Sequence, residues 1–175
     1  MSVVAVKISD GLIEIAGDTQ STWGRNKFSK IDTSDKHIKA NGKIFQVNNM
    51  TIGCAGATSD IGLLQIYSKT HRPKEMDRDS ILEWIVEFKE FANKKAQVSF
   101  NDISVHGILI LDGKVFSFYD FLDVIEIKTF NAVGSGQWLA IGAMELGASV
   151  QQAVSVACKY DLFCGGETTK IEIRI

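Results

Sequence analysis

The sequence has few cysteines, and their number and spacing argue against a protein that is stabilised by disulfides. Among 175 residues there are three: Cys54, Cys158 and Cys164. An odd number without metal-ligand spacing argues against a disulfide framework and favours a reducing compartment. We therefore expect a cytoplasmic protein that is held together by its hydrophobic core.

Long apolar runs and a surplus of one charge are also missing. No run approaches the roughly 20 residues of a membrane span, and Lys7 comes too early for the apolar core of a signal peptide. Nineteen basic residues face twenty-one acidic ones, and the lysines of residues 27–39 are interrupted by aspartates. These absences predict no leader before the first strand, no membrane partner and no nucleic-acid partner.

The composition of the chain predicts one globular domain spanning residues 1–175. Hydrophobic residues make up 45% of the chain and charged residues 23%. A chain of this length buries about 70% of its unfolded surface. The only proline, Pro73, lies in a polar stretch that we interpret as a surface loop.

Hydrophobic periodicity predicts two strand-rich blocks, each followed by a pair of helices. Three hairpins are predicted, with turns at Asp10-Gly11, Asn48-Asn49 and Asp112-Gly113. Residues 168–174 alternate as a half-buried strand does. Because the strands come in groups, a doubly wound dinucleotide domain is disfavoured. The pattern predicts an α+β fold: a four-layer αββα sandwich of two antiparallel sheets covered by helices.

Two capping boxes are predicted at helix starts. Ser80 with Glu83 would cap the long helix of the first pair, and Ser149 with Gln152 would cap the last helix.

The first strand carries a hydroxyl one residue from the start of the chain. Removal of Met1 would place that hydroxyl and a free amine on the same residue, Ser2. N-terminal nucleophile hydrolases combine attacking group and base in this way.

Five segments in order resemble proteasome β subunits and the related HslV-type peptidases over nearly the whole chain. They are Val4-Ala5-Val6-Lys7, residues 16–22 (AGDTQST), Ala55-Gly56-Ala57, Val133-Gly134-Ser135-Gly136 and residues 161–166 (DLFCGG). The resemblance implies the N-terminal nucleophile hydrolase fold and a threonine-type endopeptidase activity.

The resemblance also implies a catalytic set at the amino end of the first strand. Ser2 would be the nucleophile, and Asp18 would hold a lysine that lowers the cost of a developing alkoxide. That lysine is expected to be Lys36, with Lys39 or Lys30 as substitutes, because the spacing from Asp18 to Lys36 is about two residues longer than the family's.

A second register of the first strand competes with this assignment. Aligning residues 1–7 directly with the family's opening strand places Met1, not Ser2, opposite the nucleophile. A slip of one residue turns each side chain to the opposite face of a strand, so the two registers are different structural proposals.

Three further positions match the family's substrate site. Gly56 corresponds to the glycine whose N–H donates to the oxyanion, Thr22 to the residue that pairs with the substrate backbone, and Cys54 to the floor of the primary specificity pocket. The structural alternatives are strand-to-helix packing for Gly56 and an ordinary buried strand position for Cys54.

Ser135, Asp161 and Cys164 match the residues that surround the nucleophile and orient its amine. The family has a serine at the third place, and a thiol is the poorer hydrogen-bonding group. Cys164 as an independent nucleophile is disfavoured, because no histidine stands in a recognisable partner pattern.

Finally, the resemblance implies partners. No cofactor is required, although the main-chain carbonyls of Cys158, Asp161 and Cys164 match a monovalent cation site, which predicts Na⁺. A homo-oligomeric ring or double ring, a polypeptide substrate and an AAA+ ATPase unfoldase are expected. Two alternatives stay open: a noncatalytic scaffold subunit that retains Met1, and the weaker interpretation of Gly134-Ser135-Gly136 as a phosphate-binding loop.

Overall fold

Two antiparallel sheets stacked face to face form the centre of the molecule in a computed structural model that describes residues 2–23, 26–29, 42–97 and 99–175. The first sheet has four strands, and the second has five that lie side by side in chain order. Apolar side chains from both sheets pack between them, among them Val4, Val6, Ile15 and Ile108.

The strands of the first sheet come from both ends of the chain. They are β1 (Val3–Ser9), β2 (Leu12–Asp18), β10 (Phe130–Gly134) and β11 (Thr168–Arg174), and their order across the sheet is β10-β1-β2-β11. The strands of the second sheet are β5 (Ile44–Val47), β6 (Met50–Gly56), β7 (Val105–Leu111), β8 (Lys114–Phe118) and β9 (Val124–Glu126).

Helices cover the outer face of each sheet. On the second sheet, α1 (Thr58–Ser68) and α2 (Arg78–Ala96) bury a core that includes Trp84 and Phe88. On the first sheet, α3 (Gln137–Glu145) and α4 (Val150–Tyr160) bury Val3, Ala5 and Ala16. The predicted α+β sandwich is therefore confirmed.

Some local predictions are confirmed and others are wrong. The capping box of Ser149 and Gln152 is present at α4. At α2 the cap is Asp77, whose carboxylate accepts a bond from the Ser80 main-chain N–H at 2.8 Å, so Ser80 is the third residue of the helix instead of its cap. Either residue type caps well, and the helix begins three residues earlier than its periodic apolar positions.

Three short strands were not predicted. Besides β10, the chain forms β3 (Gln20–Trp23) and β4 (Asn26–Ser29), which pair with each other as a separate ribbon. A short 3₁₀ helix, Phe100–Asp102, precedes β7. Within the described ranges, no helix is both long and apolar enough to cross a membrane.

The two faces of β1 point to different layers. Val3 and Ala5 pack against the α3–α4 layer, whereas Val4 and Val6 pack between the sheets. Because side chains alternate along a strand, the side chain of Ser2, which precedes β1, is expected on the same face as that of Val4.

Candidate active site

A buried carboxylate ties the amino end of β1 to the end of β2. Asp18 is 1% exposed. Its Oδ1 accepts the main-chain N–H of Val3 at 2.9 Å, and its Oδ2 accepts those of Gln20 at 3.2 Å and Gly165 at 3.1 Å. Three main-chain donors hold the carboxylate in one orientation.

The fourth partner of this carboxylate is Lys43, which directly precedes β5. Its Nζ lies 2.6 Å from Asp18 Oδ1, and the two side chains are 10% and 0% exposed. Burial lowers the pKa of Lys43, while the charge of Asp18 acts in the opposite direction. A single carboxylate oxygen therefore connects a buried ammonium group to the main chain at the start of β1.

The lysine that meets Asp18 in the described structure differs from the predicted one. Lys36, Lys30 and Lys39 lie outside the described residues. Lys43, which directly precedes β5 and whose carbonyl accepts the N–H of Cys54 at 2.7 Å, was not predicted from the sequence. Its separation from Asp18 by 25 residues left no local signal for it.

Ser2 lies directly before β1 and is 3% exposed. Its carbonyl oxygen accepts bonds from Ser135 Oγ and from the Gly136 N–H, each at 3.4 Å. Gly134 packs so closely that a Cβ on it would lie 2.2 Å from that oxygen. The Gly-Ser-Gly turn thus holds the main chain of Ser2 through its carbonyl oxygen, whereas Ser135 was predicted to orient the amine of the nucleophile.

Of the other two residues predicted around the nucleophile, one contacts Ser135. Cys164 Sγ lies 3.8 Å from Ser135 Oγ, and burial raises the pKa of the Cys164 thiol to about 12. The carboxylate of Asp161 instead accepts the N–H of Phe163 at 2.7 Å. Asp161 therefore stabilises its own turn in the described structure.

Gly56 ends β6 beside this cluster. Its φ is +145°, and a Cβ there would lie 2.2 Å from the carbonyl oxygen of Ser104. Only glycine fits this conformation and this contact. Gly56 is therefore packed directly against the main chain of Ser104 at the end of β6.

A cavity of about 400 Å³ opens next to Gly56 and Ser135. Small-molecule and peptide side-chain sites commonly measure about 300–1,000 Å³. The lining combines the ends of β6, β7, β8 and β10: Ala55, Gly56, Ser104, His106, Tyr119, Phe121, Gly134, Ser135 and Gln137.

The two predicted specificity residues take different positions. Cys54 is fully buried and packs in the core under α1 and α2, while its neighbours Ala55 and Gly56 line the cavity. Burial raises the pKa of the Cys54 thiol. Thr22 belongs to β3, opposite Lys27 of β4, and its side chain lies outside the description.

The predicted sodium site gains no support from these contacts. The carbonyl oxygen of Asp161 accepts the Cys164 N–H at 3.3 Å, so one of the three carbonyls already has a partner within the turn. Over the described ranges, no group of three or more His, Cys, Asp or Glu side chains could hold a metal ion. Na⁺ stays a prediction.

This arrangement of two stacked sheets between helix pairs is the fold of solved HslV-like and proteasome-like structures. No protein-family model and no curated protein matches the sequence. Among solved structures, the BPH protein of Thiobacillus denitrificans in complex with epoxomicin superimposes with a TM-score of 0.83 at 21% identity, over 98% of both chains.

Two other solved structures show the same fold. HslV from Trypanosoma brucei superimposes with a TM-score of 0.73 at 17% identity, over 99% of both chains. Anbu, an ancestral β-subunit from Yersinia bercovieri, gives 0.71 at 12% identity, over 99% of this chain and 82% of its own. The predicted resemblance is confirmed for the fold, and activity has to be argued from the site.

Proposed function

We propose that this chain is a subunit of a proteasome-like or HslV-like peptidase, in which Ser2 becomes the N-terminal residue and attacks peptide bonds. The observation that carries the proposal is the buried pair of Asp18 and Lys43 at the amino end of β1. Burying two charges costs several kcal/mol per ion before their attraction offsets it. Because burial of these charges is costly, we expect them to serve a function, and a lysine ammonium at this point could stabilise a developing alkoxide.

In the proposed reaction, the free α-amine of Ser2 takes the proton from its own hydroxyl as Oγ attacks the carbonyl carbon. An unperturbed α-amine has a pKa of about 7.7–8.0, so it is partly unprotonated near neutral pH. For this step the hydroxyl of Ser2 has to turn toward Lys43, whose ammonium then lowers the energy of the developing alkoxide, and the Gly56 N–H donates to the oxyanion.

Collapse of the tetrahedral intermediate breaks the C–N bond, and the α-ammonium returns the proton to the leaving nitrogen. The acyl group is then held on Ser2 as an ester. A water molecule, deprotonated by the same amine, hydrolyses the ester and regenerates the hydroxyl.

A second candidate function, a noncatalytic scaffold subunit that retains Met1, is favoured by the faces of β1 and β2. Ala16 packs on the α3–α4 layer, so Asp18, two residues later, shares that face. Alternation turns the side chain of Ser2 the other way, together with Val4. In this register Ser2 does not face the ion pair.

Three proteins distinguish the two candidate functions: the wild type, the Ser2→Ala variant, and a Met1→Thr variant with an additional initiator methionine before residue 1. Each is examined by intact mass and by hydrolysis of fluorogenic peptides. The peptidase proposal expects a wild-type mass lower by one methionine, with turnover that falls at least 100-fold in Ser2→Ala.

An unprocessed, inactive wild type would refute the Ser2 mechanism. Activity that appears only with Met1→Thr would then assign the nucleophile position to residue 1. Binding of epoxomicin, which the Thiobacillus protein binds, provides a second readout. If Ser2 is the nucleophile, the wild type should bind epoxomicin and the Ser2→Ala variant should not.

We also propose that the chain works in a homo-oligomeric ring fed by an AAA+ unfoldase. Six of the ten large apolar side chains exposed in the described part of the chain lie on α3, on α4 or in the segments that follow them. They are Trp138, Leu139, Leu146, Tyr160, Leu162 and Phe163. Exposed apolar surface of this density is typical of subunit interfaces.

A further inference from the structure

One wall of the cavity beside Gly56 is aromatic. The rings of Tyr119 and Phe121 stack with centroids 5.2 Å apart and planes 18° apart, and His106 packs against Tyr119 at 5.8 Å. Phe121 is 68% exposed. An aromatic pair held open toward a cavity offers a ready stacking surface for a third ring.

His106 adds a polar group to that wall. Its Nδ1 is buried, has no hydrogen-bond partner within the described structure, and lies 3.7 Å from Asp120 Oδ1. The side chain is nevertheless 30% exposed. Part of the ring is therefore open, and His106 is one of the residues that line the cavity.

Asp120 is held firmly behind His106. Its Oδ2 accepts the hydroxyl of Ser104 at 3.1 Å, and its carbonyl oxygen accepts Lys89 Nζ at 2.7 Å. These bonds fix the carboxylate toward Nδ1 and so fix the face that His106 presents. A carboxylate this close also disfavours an acidic guest.

We propose that this cavity binds an aromatic side chain of the substrate next to the scissile bond, with tyrosine preferred over phenylalanine. The inference rests on the proposed peptidase function and names its substrate class. The lining of the cavity also contains Ser135, which donates to the Ser2 carbonyl, so a guest in the cavity lies near the proposed nucleophile. Stacking selects the ring, and His106 with Ser104 and Gln137 offers partners for a phenol hydroxyl.

The test measures binding first, because binding does not require turnover. N-acetyl-tyrosine amide, N-acetyl-phenylalanine amide and N-acetyl-alanine amide are titrated into the full chain, and the His106 ring resonances are followed by NMR. We expect the order tyrosine, phenylalanine, alanine, with saturable shifts at His106. Phe121→Ala should weaken tyrosine binding about three- to tenfold.

Two variants make the result specific. Ile66→Ala, which removes an exposed apolar side chain on α1 outside the cavity, should leave binding unchanged. His106→Ala should abolish the preference for tyrosine over phenylalanine, and His106→Asn should restore part of it. Equal binding of the three amides, or equal weakening by Ile66→Ala, would overturn the subsite.

Cleavage mapping then joins the subsite to the reaction. In an active enzyme, products from an unfolded protein substrate should be enriched in cleavages next to tyrosine, and Phe121→Ala should reduce that enrichment. Turnover without the enrichment would overturn the subsite alone. Amide binding without any turnover would refute the peptidase function and leave an aromatic-binding cavity.

Discussion

At the scale of single residues, the site depends on one carboxylate with four donors. Asp18 could be predicted from its place at the end of a strand, within a motif. Its lysine could not, because 25 residues separate Asp18 from Lys43 and no local pattern links the two. Pairing of β5 with β6 decides which lysine reaches the carboxylate.

The lowered pKa of Lys43 predicts how stability depends on pH. The folded chain releases this proton at a lower pH than the unfolded chain, whose lysine keeps an ordinary pKa near 10.5. Between these two values the unfolded state binds more protons, so the Lys43 contribution to the free energy of unfolding rises with pH. Below both values the contribution is constant.

Urea denaturation at several pH values between 7 and about 10.5 measures this. Relative to Lys43→Met, the wild type should gain stability as pH increases through that window. Lys74→Met, at a lysine whose side chain is 82% exposed, should keep the wild-type slope. Parallel curves for wild type and Lys43→Met would contradict the burial of this charge.

At the scale of elements, the sequence predicted correctly those features whose interacting residues are close together in the chain. The Asp10-Gly11 hairpin and the Ser149 capping box each involve residues close in sequence. β10 was missed because its partner is β1, about 130 residues away: Val3 pairs with Gly134. Short strands of this kind are stabilised by tertiary pairing more than by propensity.

The end of β6 gives a prediction for this scale. Gly56→Ala should destabilise the fold by about 2–4 kcal/mol, because the new Cβ meets the Ser104 carbonyl in a conformation that L residues rarely adopt. Gly142→Ala in α3 is the matched control, since no atom lies within 4 Å of its Cβ position. It should stabilise by about 0.5–1 kcal/mol.

Thermal and urea unfolding of both variants compare the two effects directly. A Gly56→Ala protein as stable as wild type would mean that β6 can move away from Ser104. In that case Gly56 would not be fixed closely enough to serve as an oxyanion donor.

At the scale of the whole molecule, the exposed apolar side chains on the α3–α4 side predict self-association. Trp138 is 73% exposed and Leu146 is 90% exposed. Trp138→Glu should shift the population to smaller species in sedimentation velocity and native mass spectrometry, because a charge would be buried at an interface. Ile66→Glu, on the opposite helix layer, should assemble as the wild type does.

A wild type that is monomeric at cellular concentration would contradict the ring. It would also weaken both candidate functions, because the compartment and the scaffold each require neighbouring copies.

The sequence by itself determined the four-layer class and the motifs that meet at the amino end of β1, since strand periodicity, turn residues and capping residues act over short stretches of chain. Only the tertiary structure decided that Lys43 pairs with Asp18 and that the cavity has an aromatic wall beside Gly56 and Ser135. Those features join residues far apart in the chain, and their contacts exist only once the sheets have paired and stacked.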